Sequence, residues 1–202
     1  MALRKPIVQV AGVQQEFDPS VDVLAGTGQG VATPRLLGFN AWSCDPVFCT
    51  SNKSLANQDL FVMLTFPSVA VANGGTINVE HGLGAAGATF TYARIGVYFY
   101  NPTTAIASLI GTSADLSTVW NSTGNKLVAV TLSQAININD AIYIAVLSNA
   151  TTAPSLSASP GVNSLGRGTP VRHIRLPGQA SLPATITPAG TIPVSVMPYI
   201  AY

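Results

Sequence analysis

The 202-residue chain is 48% hydrophobic but only 8% charged, where an average soluble domain carries roughly 25% charge, so Ser, Thr, Asn, Gln and Gly or partner subunits must cover its surface. A formal net charge of +1 provides no long-range field to gather phosphates or anionic lipid, which argues against nucleic acid and membrane surfaces as partners. The strongest apolar runs, Ile95 to Tyr100 and Ala141 to Leu147, are strand-sized and fall short of the ~18 residues that a membrane-spanning helix requires.

In chain order, the first 34 residues differ from the rest. Arg4 and Lys5 open the chain, but Gln9, Gln14 and Gln15 interrupt it before a signal-type apolar core develops, so no secretion signal is expected. Two short strands, Ile7 to Val10 and Val13 to Phe17, are predicted around Gly12. A hairpin of that size is marginal alone in water, which predicts an arm that docks on another protein, for example by adding strands to a neighbour. The following Gly26, Gly28 and Gly30 lack the lysine and the strand-to-helix context of a phosphate-binding loop and read as a linker. Residues 1–34 are therefore assigned to an N-terminal arm and linker, and residues 35–202 to one β-sandwich domain.

That domain reads as strands almost throughout. Runs rich in Val, Ile, Thr, Phe and Tyr predict strands over Leu36 to Trp42, Leu60 to Phe66, Thr76 to Glu80, Thr89 to Tyr100, Ala105 to Gly111, Lys126 to Thr131, Ile142 to Leu147, Val171 to Leu176 and Val194 to Ile200. Gly, Asn, Pro and Ser clusters separate them, as at Asn73-Gly74-Gly75, Asn101-Pro102 and Ile138-Asn139-Asp140. The expected fold class is all-β, an antiparallel, jelly-roll-like sandwich with an extended N-terminal arm. Alternation over Thr89 to Tyr100 predicts Phe90, Tyr92, Arg94 and Gly96 on one face and Thr91, Ala93, Ile95 and Val97 on the other. Its aromatic residues read as core or subunit packing ahead of a stacking platform, and Trp120 as a packing anchor.

Residues with chemistry to offer are few. Cys44 and Cys49 are near enough in sequence to pair across a tight loop or to stand as thiols. Neither they nor His81 and His173 have zinc-site spacing, so no metal or other cofactor is expected. The acidic residues form no convincing acid/base pair, and no nucleophile elbow occurs, so no catalytic residue is assigned. His81, in Glu80-His81-Gly82, reads as the end of a strand entering a loop. Arg167, Arg172, His173 and Arg175 form the basic concentration, and carboxylates of a neighbouring subunit are their expected partners.

The opening Arg4-Lys5-Pro6-Ile7-Val8, with Gly12, Gln14-Gln15-Glu16-Phe17 and Asp22-Val23-Leu24, resembles the N-terminal segment of many tailed-bacteriophage fibre and other virion proteins. The stretch from Ile106 to Thr131, Val146 to Asn149 and Leu182 to Pro188 resemble β-sandwich domains of minor tail proteins from phages of actinobacteria. The resemblance implies a non-enzymatic virion structural protein, either a minor tail or fibre component or a capsid decoration or head-fibre protein. It implies attachment to other virion proteins through Arg4, Lys5, Pro6, Ile7, Val8, Gln15, Phe17, Asp22 and Leu24, and assembly as a homo-oligomer, a trimer in the first instance. The alternative is a carbohydrate-binding module or host-receptor-binding domain that engages a cell-surface glycan, for which Trp42, Trp120, Tyr92, Tyr98 and Tyr100 speak.

Overall fold

The computed structural model describes residues 34, 38–44, 46, 49–159, 171, 173–188 and 197–202, together with the backbone of 7–10 and 13–16. Chain contacts divide it into two units, Met1–Ala32 and Thr33–Tyr202. In the first, β1 (Ile7–Val10) and β2 (Val13–Glu16) pair antiparallel, with Ile7 opposite Glu16 and Val8 opposite Gln15. The hairpin predicted from the two apolar runs is present.

In the second unit, two antiparallel sheets share eleven described strands, and eight of these make up the body of the sandwich. They are β3 (Ser51–Ser54), β4 (Leu60–Thr65), β5 (Thr76–Ala85), β6 (Ala88–Asn101), β7 (Ile106–Thr112), β8 (Gly124–Thr131), β9 (Ile142–Thr152) and β10 (Ser155–Ser159). One sheet places β3, β10, β5 and β8 side by side, with β13 (Met197–Pro198) also paired to β10. The other has the order β4-β9-β6-β7, extended by β11 (His173–Leu176) beside β4 and β12 (Thr185–Ile186) beside β7. This alternation between sheets is the jelly-roll arrangement. No described residue lies in an α-helix.

Period-two burial explains why the sheets face each other. On β5, Ile77, Val79, His81 and Leu83 point inward while Thr76 and Asn78 are exposed. Ile77, Val79 and Leu83 meet Ala93, Ile95 and Val97 of β6, Ile142, Ile144 and Val146 of β9, and Trp120 in one core cluster, and His81 contacts Trp120. A bulge between Phe90 and Tyr92 interrupts the alternation of β6. Phe90 consequently packs with Ala93 and Ile95, and Tyr92 on the opposite face, correcting the prediction that Phe90 and Tyr92 share a face.

The six-stranded sheet is buried on its outer face as well. Leu60, Val62, Tyr98, Tyr143, Ala145 and Leu147 form a second cluster there, with Ile174 and Ile186. Residues 177–184 cross that face as a strap joining β11 at one edge to β12 at the other. Side chains of the sheet hold the strap by its backbone. Tyr98 donates to the Pro183 carbonyl at 2.8 Å, Asn149 Nδ2 donates to the Ala180 carbonyl at 2.9 Å, and the Leu182 N–H donates to the Tyr92 oxygen at 3.2 Å.

Of the predicted strand Leu36 to Trp42, the described part contributes one bridge, Trp42 to Ala201, instead of a strand. The predicted strand Val194 to Ile200 is represented by β13 and by backbone hydrogen bonds from residues 199–202. Ile200, Ala201 and Tyr202 are buried, and the Ala41 N–H donates to the Tyr202 carbonyl at 3.0 Å.

Candidate functional site

The outward-facing row of β5, Thr76, Asn78, Glu80 and Gly82, lies beside Thr131, Ala129, Leu127 and Asn125 of β8. Two grooves open along this row. One, about 320 Å³, is lined by residues including Gly38, Phe39, Asn78, Leu127 and Tyr202. The other, about 260 Å³, is lined by Phe39, Cys49, Glu80, Gly82, Asn125, Ser157 and Tyr199 among others. Phe39 borders both, so the grooves meet there. Asn40 fixes this wall: its Oδ1 accepts from the N–H groups of Ser68 and Val69 at 2.8 and 2.6 Å.

The groove chemistry is polar and nearly uncharged. Glu80 is the sole carboxylate among the described lining residues, beside side-chain amides, hydroxyls and aromatic rings. Gly82 keeps the floor low, since a Cβ there would lie 2.6 Å from Ser157 Oγ. Leu127, 66% exposed, adds an apolar rim. Such a surface suits a neutral, hydrogen-bonding ligand or an extended peptide; one carboxylate does not supply the pair that glycoside hydrolysis ordinarily uses.

A second exposed apolar group lies at the end of the sandwich where Asn40 is anchored. Phe66, Val69 and Ile138 are each more than half exposed, on loops joined by the Asn139 N–H donating to the Pro67 carbonyl at 2.9 Å. The opposite end carries the loop 113–123, with Trp120 turned inward.

The aromatic residues that favoured glycan binding are mostly structural. Trp120 and Tyr98 are fully buried, Tyr100 nearly so, and the Tyr92 oxygen holds the strap; Trp42 remains half-buried. Burial pushes the Tyr98 and Tyr143 phenols well above their ordinary value and Tyr202 up to about 12, the last opposed by its hydrogen bond with Thr65. Asn149, in a sequon, is buried with its side chain committed to the backbone of Gln58, Gln179 and Ala180.

His81 is in the middle of β5, not at a strand end. It is fully buried, and Trp120 Nε1–H donates to its Nε2 at 2.9 Å, with the rings edge to face. That bond requires a neutral imidazole. Burial, with a smaller effect of Lys126 directly across the strand pair, lowers its pKa to about 4 against the raising influence of the Val79 backbone. Nε2 is thus satisfied by Trp120, while the buried Nδ1 makes no hydrogen bond of ordinary geometry.

Arg175 pairs within its own chain, Nε to Asp59 Oδ2 at 2.7 Å, instead of awaiting a neighbour's carboxylate. Arg94 donates to the Ser113 carbonyl at 2.7 Å. Arg167 and Arg172 lie outside the described residues, as do Arg4, Lys5, Pro6, Phe17, Asp22 and Leu24 of the arm. Ile7 and Val8 fall on β1 and Gln15 on β2. Cys44 and Cys49 come together with their sulfurs 3.6 Å apart, wider than the ~2.05 Å of a disulfide bond. Among the described residues no three His, Cys, Asp or Glu side chains converge as a metal site.

Sequence reading missed the outer groove because its residues come from β5, β8, β10 and the segments near 39 and 199, which only the folded sheet brings together. No protein-family model and no curated protein matches the chain.

Proposed function

We propose that the protein is a non-enzymatic structural component of a tailed-phage particle surface, fixed through its N-terminal hairpin as a minor tail or fibre component or as a capsid decoration or head-fibre protein. The observation that carries this reading is the pairing of a hairpin-bearing N-terminal unit with a jelly-roll body that displays almost no charge. Jelly rolls recur in viral capsid and lectin domains, and a neutral, Thr- and Asn-rich exterior suits a subunit held among copies. In this reading the body contacts the particle through the end that carries the exposed Phe66, Val69 and Ile138. Three-fold assembly belongs to the same proposal, and a monomeric mass both in solution and on the particle would refute that part of it.

The test is incorporation. Particles assembled with a chain lacking residues 1–32 should lack the protein, while the body remains folded by circular dichroism; undiminished incorporation would remove the arm from the account.

The groove bordered by Phe39 supports a second reading, a receptor-binding surface for a neutral host glycan. Binding of soluble cell-wall oligosaccharides that is weakened by Asn125→Ala would support it.

A further inference from the structure

Cys44 and Cys49 stand five residues apart, and the Cys49 N–H donates to the Pro46 carbonyl at 3.1 Å. Their sulfurs are 3.6 Å apart, and both residues are half-buried. Rotation about the side-chain χ1 bonds closes a gap of about 1.5 Å to the disulfide distance. The sequence holds two cysteines, so an intramolecular disulfide can join only this pair.

The pair stands at a structural junction. Ser43 Oγ donates to the Pro198 carbonyl at 2.7 Å and accepts from the Ile200 N–H at 2.9 Å, and the Ser43 N–H donates to the Ile200 carbonyl at 2.8 Å. Cys44 Sγ lies 4.0 Å from the same Pro198 carbonyl, and Cys49 lines the groove with Glu80 and Tyr199.

We infer that Cys44 and Cys49 form a thiol–disulfide switch, oxidised by a low-molecular-weight disulfide, which when closed ties Cys49 of the groove wall to Cys44 beside Pro198 and so resets one wall of the outer groove. One cysteine thiolate attacks the reagent's S–S bond, forming a mixed disulfide and releasing the first small thiolate. The second cysteine thiolate then displaces the other half, forming the Cys44–Cys49 bond. The protein gives up two electrons and two protons, and the reagent leaves as two thiols.

The full chain is equilibrated across ratios of oxidised to reduced glutathione, capped with iodoacetamide and weighed intact. The expected result is concerted loss of both thiols, a mass lower by two hydrogens, and a Tm about 5 °C above that of the reduced form, reversed by dithiothreitol. Because the bridge and the fold stabilise each other, the native chain should close at a less oxidising ratio than the chain in urea. Cys49→Ser should carry a glutathione adduct on Cys44 and show no such rise in Tm. Stable adducts on both cysteines, disulfide-linked dimers, or closure at the same ratio in urea as in native buffer would each overturn the proposal.

Discussion

Acid should destabilise this protein through the buried side chain of His81. The unfolded chain takes up a proton near the ordinary histidine value of 6.5, whereas the folded protein does so only near 4, because the ring is buried and its Nε2 accepts the Trp120 N–H. The unfolded state therefore binds more protons between those values. Stability is fully present above about pH 6.5, falls as the pH drops through the window, and gains no further penalty from this group below about 4. A displacement of that size corresponds to about 3 kcal/mol, a large part of the 5–15 kcal/mol that holds a typical domain together. His81→Gln keeps a side-chain acceptor for Trp120 but cannot titrate. Urea unfolding of both proteins from pH 7 to pH 4, followed by Trp fluorescence, should show the parent losing about 3 kcal/mol more than the variant. If the two stabilities fall in parallel, His81 is not the buried neutral group described.

At the alkaline end the sign is reversed: the Tyr202 phenol, pushed up to about 12, and those of Tyr98 and Tyr143, raised further, remain neutral in the fold while the unfolded chain ionises near 10. Stability should decline as the pH rises above 10, and Tyr98→Phe should reduce the decline in alkaline urea titrations. Trp120→Ala should cost about 3–5 kcal/mol by emptying the largest fully buried site, measured by urea unfolding. Gly111→Ala should cost about 1–3 kcal/mol, since its Cβ would lie 2.9 Å from the Thr131 carbonyl where the two sheets approach; an unchanged urea midpoint would contradict that geometry.

The sandwich was legible wherever a strand buries branched or aromatic side chains, as in Leu60–Thr65 and Ile142–Thr152, because burial selects those residues and leaves a run or alternation to read. β3, Ser-Asn-Lys-Ser, and β10, Ser-Leu-Ser-Ala-Ser, were invisible for the converse reason. Their composition is that of a turn, and pairing with each other and with β5 makes them strands. The Phe90/Tyr92 bulge is another tertiary decision: one register shift reverses the face of everything beyond it. The strap over the second face left no local signal either, because Tyr98, Tyr143 and Asn149 hold its backbone and nearby residues irrespective of most of its side chains. Cys44 and Cys49 were identified from sequence as neighbours, but their seat on the C-terminal segment depends on contacts about 150 residues apart.

Immunogold labelling of intact particles, with an antibody raised against residues 35–202 and viewed by electron microscopy, tests the proposed function most directly. Regular label is expected on the particle surface, over the head for a decoration protein or on the tail for a fibre or minor tail component. Particles that carry no label while the protein is abundant in infected cells would contradict it.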